Sequence, residues 1–448
     1  MNEQQTEKFR TLTERPVPGL ICSLAVPCII SMMVTAFYNM ADTFFVGKLG
    51  SNSATGAVGV AFSLMAVIQA IGFFFGHGSG NFISRKLGAQ ETEDAAKMAA
   101  TGFFSALAAG AVLLILGEIF LTPLSRLLGA TETILPYARS YIRIILMGAP
   151  WMTASLVLNN QLRFQGSAAY GMVGITAGAV LNIGLDPLLM FVFHMGIAGA
   201  AIATIFSQLV SCVLLFIGCS RGSNLRIRPR NVQFRRSYYR EILRGGLPSL
   251  ARQGLGSLAA IVLNHSAGLY GDAAIAAMTV VSRATITGYS ALIGFGQGFQ
   301  PVCGFNYGAR LYDRVRQGFW FCVKYATVFL IAVSALGAVF APQIVAFFRD
   351  DPEVAAYGTL ALRLQCVTFA LNGWVTMSNM MLQTINRTVP ATFLAMARQG
   401  IFFIPLVLLL SSLLGMLGVQ LAQPVSDAVT FACAIPIQLR ALKTLEPG

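Results

Sequence analysis

The stretch VLNIGLDPLLMF, residues 180–191, places an aspartate and a proline inside a run that is otherwise apolar. Asn182 precedes Asp186 by four residues, which on a helix sets its amide one turn below the carboxylate on the same face. A second acid, Asp42, follows Tyr38 at the same interval in YNMADTFF, and Thr204 interrupts the apolar run GIAGAAIATIF. Two carboxylates, an amide oxygen and a hydroxyl are hard oxygen donors, suited to Na⁺ or to holding protons. Two carboxylates sharing a dry site repel each other, so the pair is set up to take up a cation and give it back. An acid in hydrocarbon costs at least about 2.5–3.5 kcal/mol on insertion scales, which makes each such residue a functional candidate. Pro187 lacks a backbone donor and loosens or bends its helix directly after Asp186.

The surroundings of these residues are those of a membrane protein. The 448 residues are 56% hydrophobic and only 11% charged, with a mean hydropathy of +0.68, a balance that excludes a soluble globular fold of this size. Runs such as ALAAGAVLLILGEIFL (106–121) approach the roughly 20 residues that cross about 30 Å of hydrocarbon. Helices satisfy their own backbone groups in lipid, so the expected class is all-α and polytopic. Twelve segments of adequate length fall at 18–46, 54–77, 96–120, 134–157, 168–193, 196–219, 246–267, 273–299, 318–341, 354–378, 388–411 and 415–438. The N-terminus has no signal-peptide pattern, so the first run is read as a retained anchor. The eight cysteines form no C-x-x-C and pair with no histidine, which argues against a disulfide framework or a zinc site. With three histidines and no H-E-x-x-H, no enzyme chemistry and no cofactor are expected.

Charge sets the orientation. Of the 31 Lys and Arg, 22 lie on the side that holds both termini, six on the other, and Arg252, Arg283 and Arg398 lie inside segments. The positive-inside rule then puts both termini in the cytoplasm. The loop RGSNLRIRPRNVQFRRSYYREILR (221–244) carries eight arginines and reads as a topology anchor near anionic lipid rather than a nucleic-acid patch. It also divides two similar halves: Pro27 recurs at Pro248, Gly47 at Gly268 and Gly50 at Gly271, all displaced by 221 residues, and Gly88-Ala89 recurs at Gly308-Ala309. Six spans per half insert both halves the same way up, related by a pseudo-two-fold axis along the membrane normal. The resulting division is 1–17 as a cytoplasmic segment, 18–220 as the first half, 221–245 as a basic cytoplasmic linker, 246–438 as the second half and 439–448 as a cytoplasmic tail.

Depth follows from topology. At 1.5 Å per residue Asp42 lies ~6 Å, Asp186 ~10 Å and Thr204 ~12 Å from the outer face, all in one outer half-bundle. Asp42, Asn182, Asp186 and Thr204 are therefore the expected cation site, with Tyr38 and Asn39 beside it assigned to a substrate cavity. The second half has no matching acids: Asp42 falls opposite Leu263, and Asp186 opposite the apolar run around Leu408. It carries instead Arg283, Arg398 and Asp427 near mid-depth, read first as a charge-paired structural cluster and alternatively as contacts for an anion or substrate.

QGFQPVCGFNYGAR (297–310), its counterpart GNFISRKLGA (80–89), DTFFVGKLG (42–50) and QPVSD (423–427) resemble the multidrug and toxic compound extrusion (MATE) family over essentially the whole chain. The resemblance implies twelve helices in two six-helix lobes around a central V-shaped cavity, in the inner membrane. It implies multidrug efflux, and with it antibiotic resistance: antiport of amphipathic, often cationic compounds against Na⁺ or H⁺, with no cofactor. Family members with an N-lobe cation site use an aspartate in helix 1, Asn-x-x-x-Asp in helix 5 and a threonine in helix 6, which match Asp42, Asn182, Asp186 and Thr204. A second branch uses a glutamate in helix 7 and an aspartate in helix 10; here neither helix has an acid, so C-lobe coupling of that kind is not expected. The expected partners are small molecules and lipid, with no nucleic acid, and the functional unit is a monomer. A flippase for an isoprenoid-linked saccharide in a related fold is the alternative, and an integral-membrane enzyme the remote one.

Overall fold

A computed structural model describes residues 3–445 except Ser51 and Arg349; the extreme ends of the N-terminal segment and of the tail lie outside the described residues. Among these residues there is no strand, and the chain is helix joined by short turns. A short helix, α1 (Glu3–Glu14), leads into α2 (Val17–Gly47), α3 (Asn52–Gly88), α4 (Thr92–Ile119), α5 (Leu121–Leu127), α6 (Leu135–Phe164), α7 (Ala168–Pro187) and α8 (Gly196–Cys219). After the basic linker come α9 (Arg236–Gly268), α10 (Asp272–Gly308), α11 (Tyr312–Val339), α12 (Ala341–Phe348), α13 (Pro352–Phe369), α14 (Asn372–Thr384), α15 (Thr388–Met396), α16 (Phe403–Leu414) and α17 (Met416–Lys443).

Each of the twelve apolar segments falls on this helical framework. Nine helices among the described residues are long and apolar enough to cross a membrane singly, and α13 with α14 forms a tenth span bent by 55°. The expected unbroken tenth segment is thus two helices meeting at Ala370–Leu371. The remaining long helices, α9 and α10, carry Arg252 and Arg283 and are less apolar. Prolines stand inside several helices, among them Pro27, Pro150, Pro248 and Pro301. Membrane helices tolerate them because neighbours re-satisfy the carbonyls they strand.

The chain forms two compact units, one of residues 1–15 and 30–246, the other of 16–29 and 247–448. Both α2 and α9 run through the division, each within three residues of the repeated proline, Pro27 or Pro248. The repetition extends to backbone geometry. Gly50 and Gly271, the residues after the first helix of each half, both have positive φ (69° and 104°), which glycine adopts without a Cβ penalty. The next turns use Gln90 and Arg310 (φ 62° and 60°), then Gly166 and Asn386 (φ 78° and 64°), each pair displaced by 220 residues. The first unit packs its interior around Leu64, Ile68, Tyr141, Ile142, Ile145 and Leu146, and the second around Val281, Leu362, Phe403 and Val407.

Candidate functional site

In the first unit, α7 presents Gly178, Asn182 and Asp186 on one face at intervals of four residues. Gly178 lets α8 come close: a Cβ there would meet Ser211 Cβ at 2.9 Å and the Ser207 carbonyl oxygen at 3.1 Å. This small-residue approach is how membrane helices gain packing without a hydrophobic drive. It brings Asn182 against Thr204. The Asn182 amide lies 3.4 Å from Asp186 Oδ1 and 3.5 Å from Thr204 Oγ1. Turned about its own axis, it donates to Asp186 Oδ2 at 3.0 Å and accepts from the Thr204 backbone N–H at 3.3 Å, which satisfies both its ends. The Trp151 indole donates to the Ile205 carbonyl at 2.9 Å and pins α6 to α8 one residue beyond Thr204.

Directly after Asp186 the helix changes. Pro187 ends α7, and residues Leu188–Val192 form a single π turn closed by Phe193 N–H to Leu188 O at 3.0 Å. Pro187 has no N–H to offer the Ile183 carbonyl one turn earlier, so the regular ladder is already interrupted where the widened turn begins. Asp186 is fully buried at this point, and Asp42 is 6% exposed. The two acids lie within electrostatic range of each other, and Tyr38 and Tyr141 lie within range of both. Among the described residues neither acid has a basic partner, and Asp42 Oδ1 is buried with no hydrogen-bond donor. An orphaned carboxylate oxygen in a dry interior is costly unless something fills the seat. No cluster of three or more His, Cys, Asp or Glu is placed to hold a metal ion among the described residues. A cation here would take two carboxylates completed by the neutral oxygens of Asn182 and Thr204.

Tyr38 and Asn39, assigned to a substrate cavity, line a small one of about 90 Å³ together with Gln69, Asn182, Ser207 and Gln208. That volume admits an ion and a few waters but falls well short of the roughly 300–1,000 Å³ of a drug-sized site.

The second unit treats its acid differently. Asp427 is 1% exposed and its carboxylate is saturated: Arg398 Nε (2.9 Å) and Gln423 Nε2 (2.8 Å) donate to Oδ1, and Gln365 Nε2 and Asn372 Nδ2 (both 3.1 Å) donate to Oδ2. Asn372 reaches it because α13 and α14 break at that level. Arg398 and Asp427 therefore form the anticipated charge pair. Arg283 stays outside it, on the wall of a neighbouring cavity.

The MatE family model matches the chain twice, at residues 27–188 and 248–409, and the two matches start 221 residues apart, the interval at which Pro27 recurs as Pro248. The chain belongs to the MatE family. The multidrug export protein MepA of Staphylococcus haemolyticus is 26% identical over 409 residues, covering 90% of this chain and 89% of its own. MepA of Staphylococcus saprophyticus is 27% identical, covering 93% and 91%. A solved MATE in complex with MaL6 superposes with a TM-score of 0.91 at 27% identity, covering 98% of both chains. This is a multi-pass membrane protein of the twelve-helix MATE fold.

Several residues of this MATE chain escaped sequence reasoning. Gln69, Ser207 and Gln208 line the first-unit cavity, and Gln365, Asn372 and Gln423 hold Asp427. Their signal was a neutral polar residue at helical spacing from an acid or threonine, such as Thr204 with Gln208 and Gln423 with Asp427. Arg163, counted with a cytoplasmic loop, is buried at 3% exposure; its guanidinium meets Asn160 Oδ1 at 2.6 Å and His77 Nε2 at 3.2 Å. Arg252, one of the three basic residues inside segments, lines a cavity beside Arg398.

Proposed function

We propose that the protein is a secondary-active multidrug exporter that moves amphipathic organic compounds, cationic ones among them, out of the cell in exchange for Na⁺ or H⁺. Asp42, Asn182, Asp186 and Thr204 bind the coupling cation. The observation that carries this reading is the contrast between the acids of the two units. Asp427 is neutralised by Arg398 and has four donors, whereas Asp42 and Asp186 have no cationic partner among the described residues and Asp42 Oδ1 has no donor at all. Family membership and the MepA relatives' names support the same activity.

The cycle follows from charge. Unloaded, the two acids repel, and a cation entering from outside relieves that repulsion. Asp42 lies on the part of α2 that belongs to the first unit, while the start of α2 belongs to the second. Loading at Asp42 thus acts on a helix common to both units and switches access from one side of the membrane to the other. One positive charge moving inward down 100 mV releases about 2.3 kcal/mol. Exchange of one cation for one monovalent cationic drug moves no net charge, so concentrating such a drug on potential alone needs two cations per drug, a charge that two carboxylates can balance. Both termini are cytoplasmic, the protein resides in the inner membrane as a functional monomer, and no cofactor takes part. The first-unit cavity around Tyr38 and Asn39 serves ion and water rather than the bulk of the drug, because about 90 Å³ is too small for it.

The test is efflux of a fluorescent organic cation from proteoliposomes under an imposed Na⁺ gradient and, separately, a pH gradient. Efflux under one gradient, lost in Asp186→Asn, supports the antiporter and names the ion. Efflux unchanged in Asp186→Asn removes the site from the mechanism. Absence of efflux under either gradient turns the function toward the lipid-linked saccharide flippase.

A further inference from the structure

In the second unit two cavities of about 320 and 430 Å³ adjoin, sharing Gly256, Ala260, Tyr289, Arg398 and Gln399 in their walls. Together they form one trough of drug-sized volume. Arg283 stands at one end, Arg252 at the other, and Arg398 between them with its guanidinium over the Tyr289 ring, 4.7 Å from the centroid. No Asp or Glu lines either cavity among the described residues. Asp427 lies behind the wall and is occupied by Arg398. Among the described residues neither Arg252 nor Arg283 has an ion-pair or side-chain hydrogen-bond partner for its guanidinium.

Two unpartnered arginines at this depth need a reason. Arg283 lies eleven residues from the nearer end of α10, about 17 Å at 1.5 Å per residue, too deep to snorkel to the headgroups. Arg398 and Gln399 sit in a second π turn, Ala397–Ile401, a local departure that is frequent at functional sites. A guanidinium is a planar fork that stays charged and matches a carboxylate or phosphate with two parallel hydrogen bonds.

We propose that this trough is an anion-binding subsite, in which Arg252 grips an oxyanion carried by an amphipathic molecule whose apolar body runs along Tyr289, Phe369 and Phe403 toward Arg283, whose charge adds to the positive potential of the trough. The inference rests on the exporter reading for its biological use, and it extends the substrate class from cations to zwitterions and amphipathic acids. Arg398 has a different part: paired with Asp427, it holds the middle of the wall and places Tyr289. The oxyanion has two sources, a carboxylate on a soluble compound or the phosphate of a lipid headgroup entering from the bilayer.

The experiment uses a matched dye pair that differs in one group: tetramethylrhodamine with its free carboxylate, and tetramethylrhodamine methyl ester. Equilibrium binding to the purified full-length protein is followed by fluorescence polarisation, which needs no ion gradient and so separates failure of this proposal from failure of the antiport reading. Arg252→Gln is expected to weaken free-acid binding by about ten-fold or more, as for a lost charge-assisted hydrogen bond, and Arg283→Gln, at the far end, by about two- to three-fold through lost potential alone, while the methyl ester stays within about two-fold. The ester also reports that each variant is folded. Arg252→Lys keeps the charge but not the fork and should recover part of the loss. Equal weakening of both dyes, or of neither, would overturn the subsite. Repeating the titration in nanodiscs with and without phosphatidylglycerol identifies the source. Competition by this lipid against the free acid, abolished in Arg252→Gln, assigns a headgroup phosphate; free-acid binding that ignores it assigns a soluble carboxylate.

Discussion

Arg398→Met isolates the energetics of the buried pair. The Asp427 carboxylate is enclosed by Arg398, Gln423, Gln365 and Asn372 at 2.8–3.1 Å. Removing the guanidinium leaves an anion in a site that only neutral amides serve, and breaking a buried pair in this way costs about 3–5 kcal/mol. Asp427→Leu leaves the converse, a buried cation supported by the Tyr289 ring alone, at a similar cost. The double variant has no stranded charge, and apolar replacement of a whole buried pair is often close to neutral. A double-mutant cycle should therefore return a coupling of several kcal/mol in favour of the pair, approaching the sum of the two single losses. At about 2–4 °C per kcal/mol for a folding unit of 150–250 residues, each single variant is expected to lower Tm by about 6–20 °C and the double variant by clearly less. Tryptophan fluorescence during heating reads this directly, because Trp320 and Trp374 both belong to the second unit and pack on each other, with ring centroids 5.6 Å apart. Single variants that leave Tm unchanged, or a double variant as unstable as the two losses added together, would refute the reasoning.

Other expectations concern the first unit. Gly178→Ala forces a Cβ to within 2.9 Å of Ser211 Cβ, so α7 and α8 must part and Asn182 loses Thr204; gradient-driven efflux should fall by about ten-fold, and Ser211→Gly in the same chain should restore part of it. Lys8 on α1 donates to Ser167 Oγ at 2.6 Å and Asn224 Oδ1 at 2.8 Å, and burial pushes its pKa down from 10.5 to about 8. The undocked state then binds more protons between pH 8 and 10.5, so docking of α1 strengthens as pH rises through that window and loses this gain below it. A spin label at Gln4 should be less mobile at pH 10 than at pH 7, and Lys8→Met should remove the difference.

Charge in apolar surroundings is what made this site legible from sequence. Asp42 and Asp186 announced themselves because an ionised group in hydrocarbon is expensive, and Asn182 and Thr204 followed from helical period and depth. The internal repeat was visible in Pro27, Pro248 and the paired glycines because those residues are fixed by backbone geometry rather than by packing. Gln365, Asn372 and Gln423 were not visible as partners of Asp427: neutral polar residues carry little penalty singly, and Asn372 meets Asp427 just past the 55° bend between α13 and α14. For the same reason the burial of Arg163 was not visible, since only the folded neighbourhood of Asn160 and His77 encloses it. The passage of α2 from one unit to the other, just after Pro27, is likewise a property of which helices surround it.

The central claim is that Asp42 and Asp186 exchange a cation for the transported drug. Linkage makes this measurable without a membrane: a drug and a cation that exclude each other must displace each other by the same factor. Tetramethylrhodamine methyl ester added to weakly buffered purified protein should release protons, or Na⁺ in a sodium-containing buffer, in near-stoichiometric amount. The release should disappear in Asp42→Asn/Asp186→Asn while dye binding persists. The same release from the double variant, or none from the wild type at saturating dye, would contradict the account.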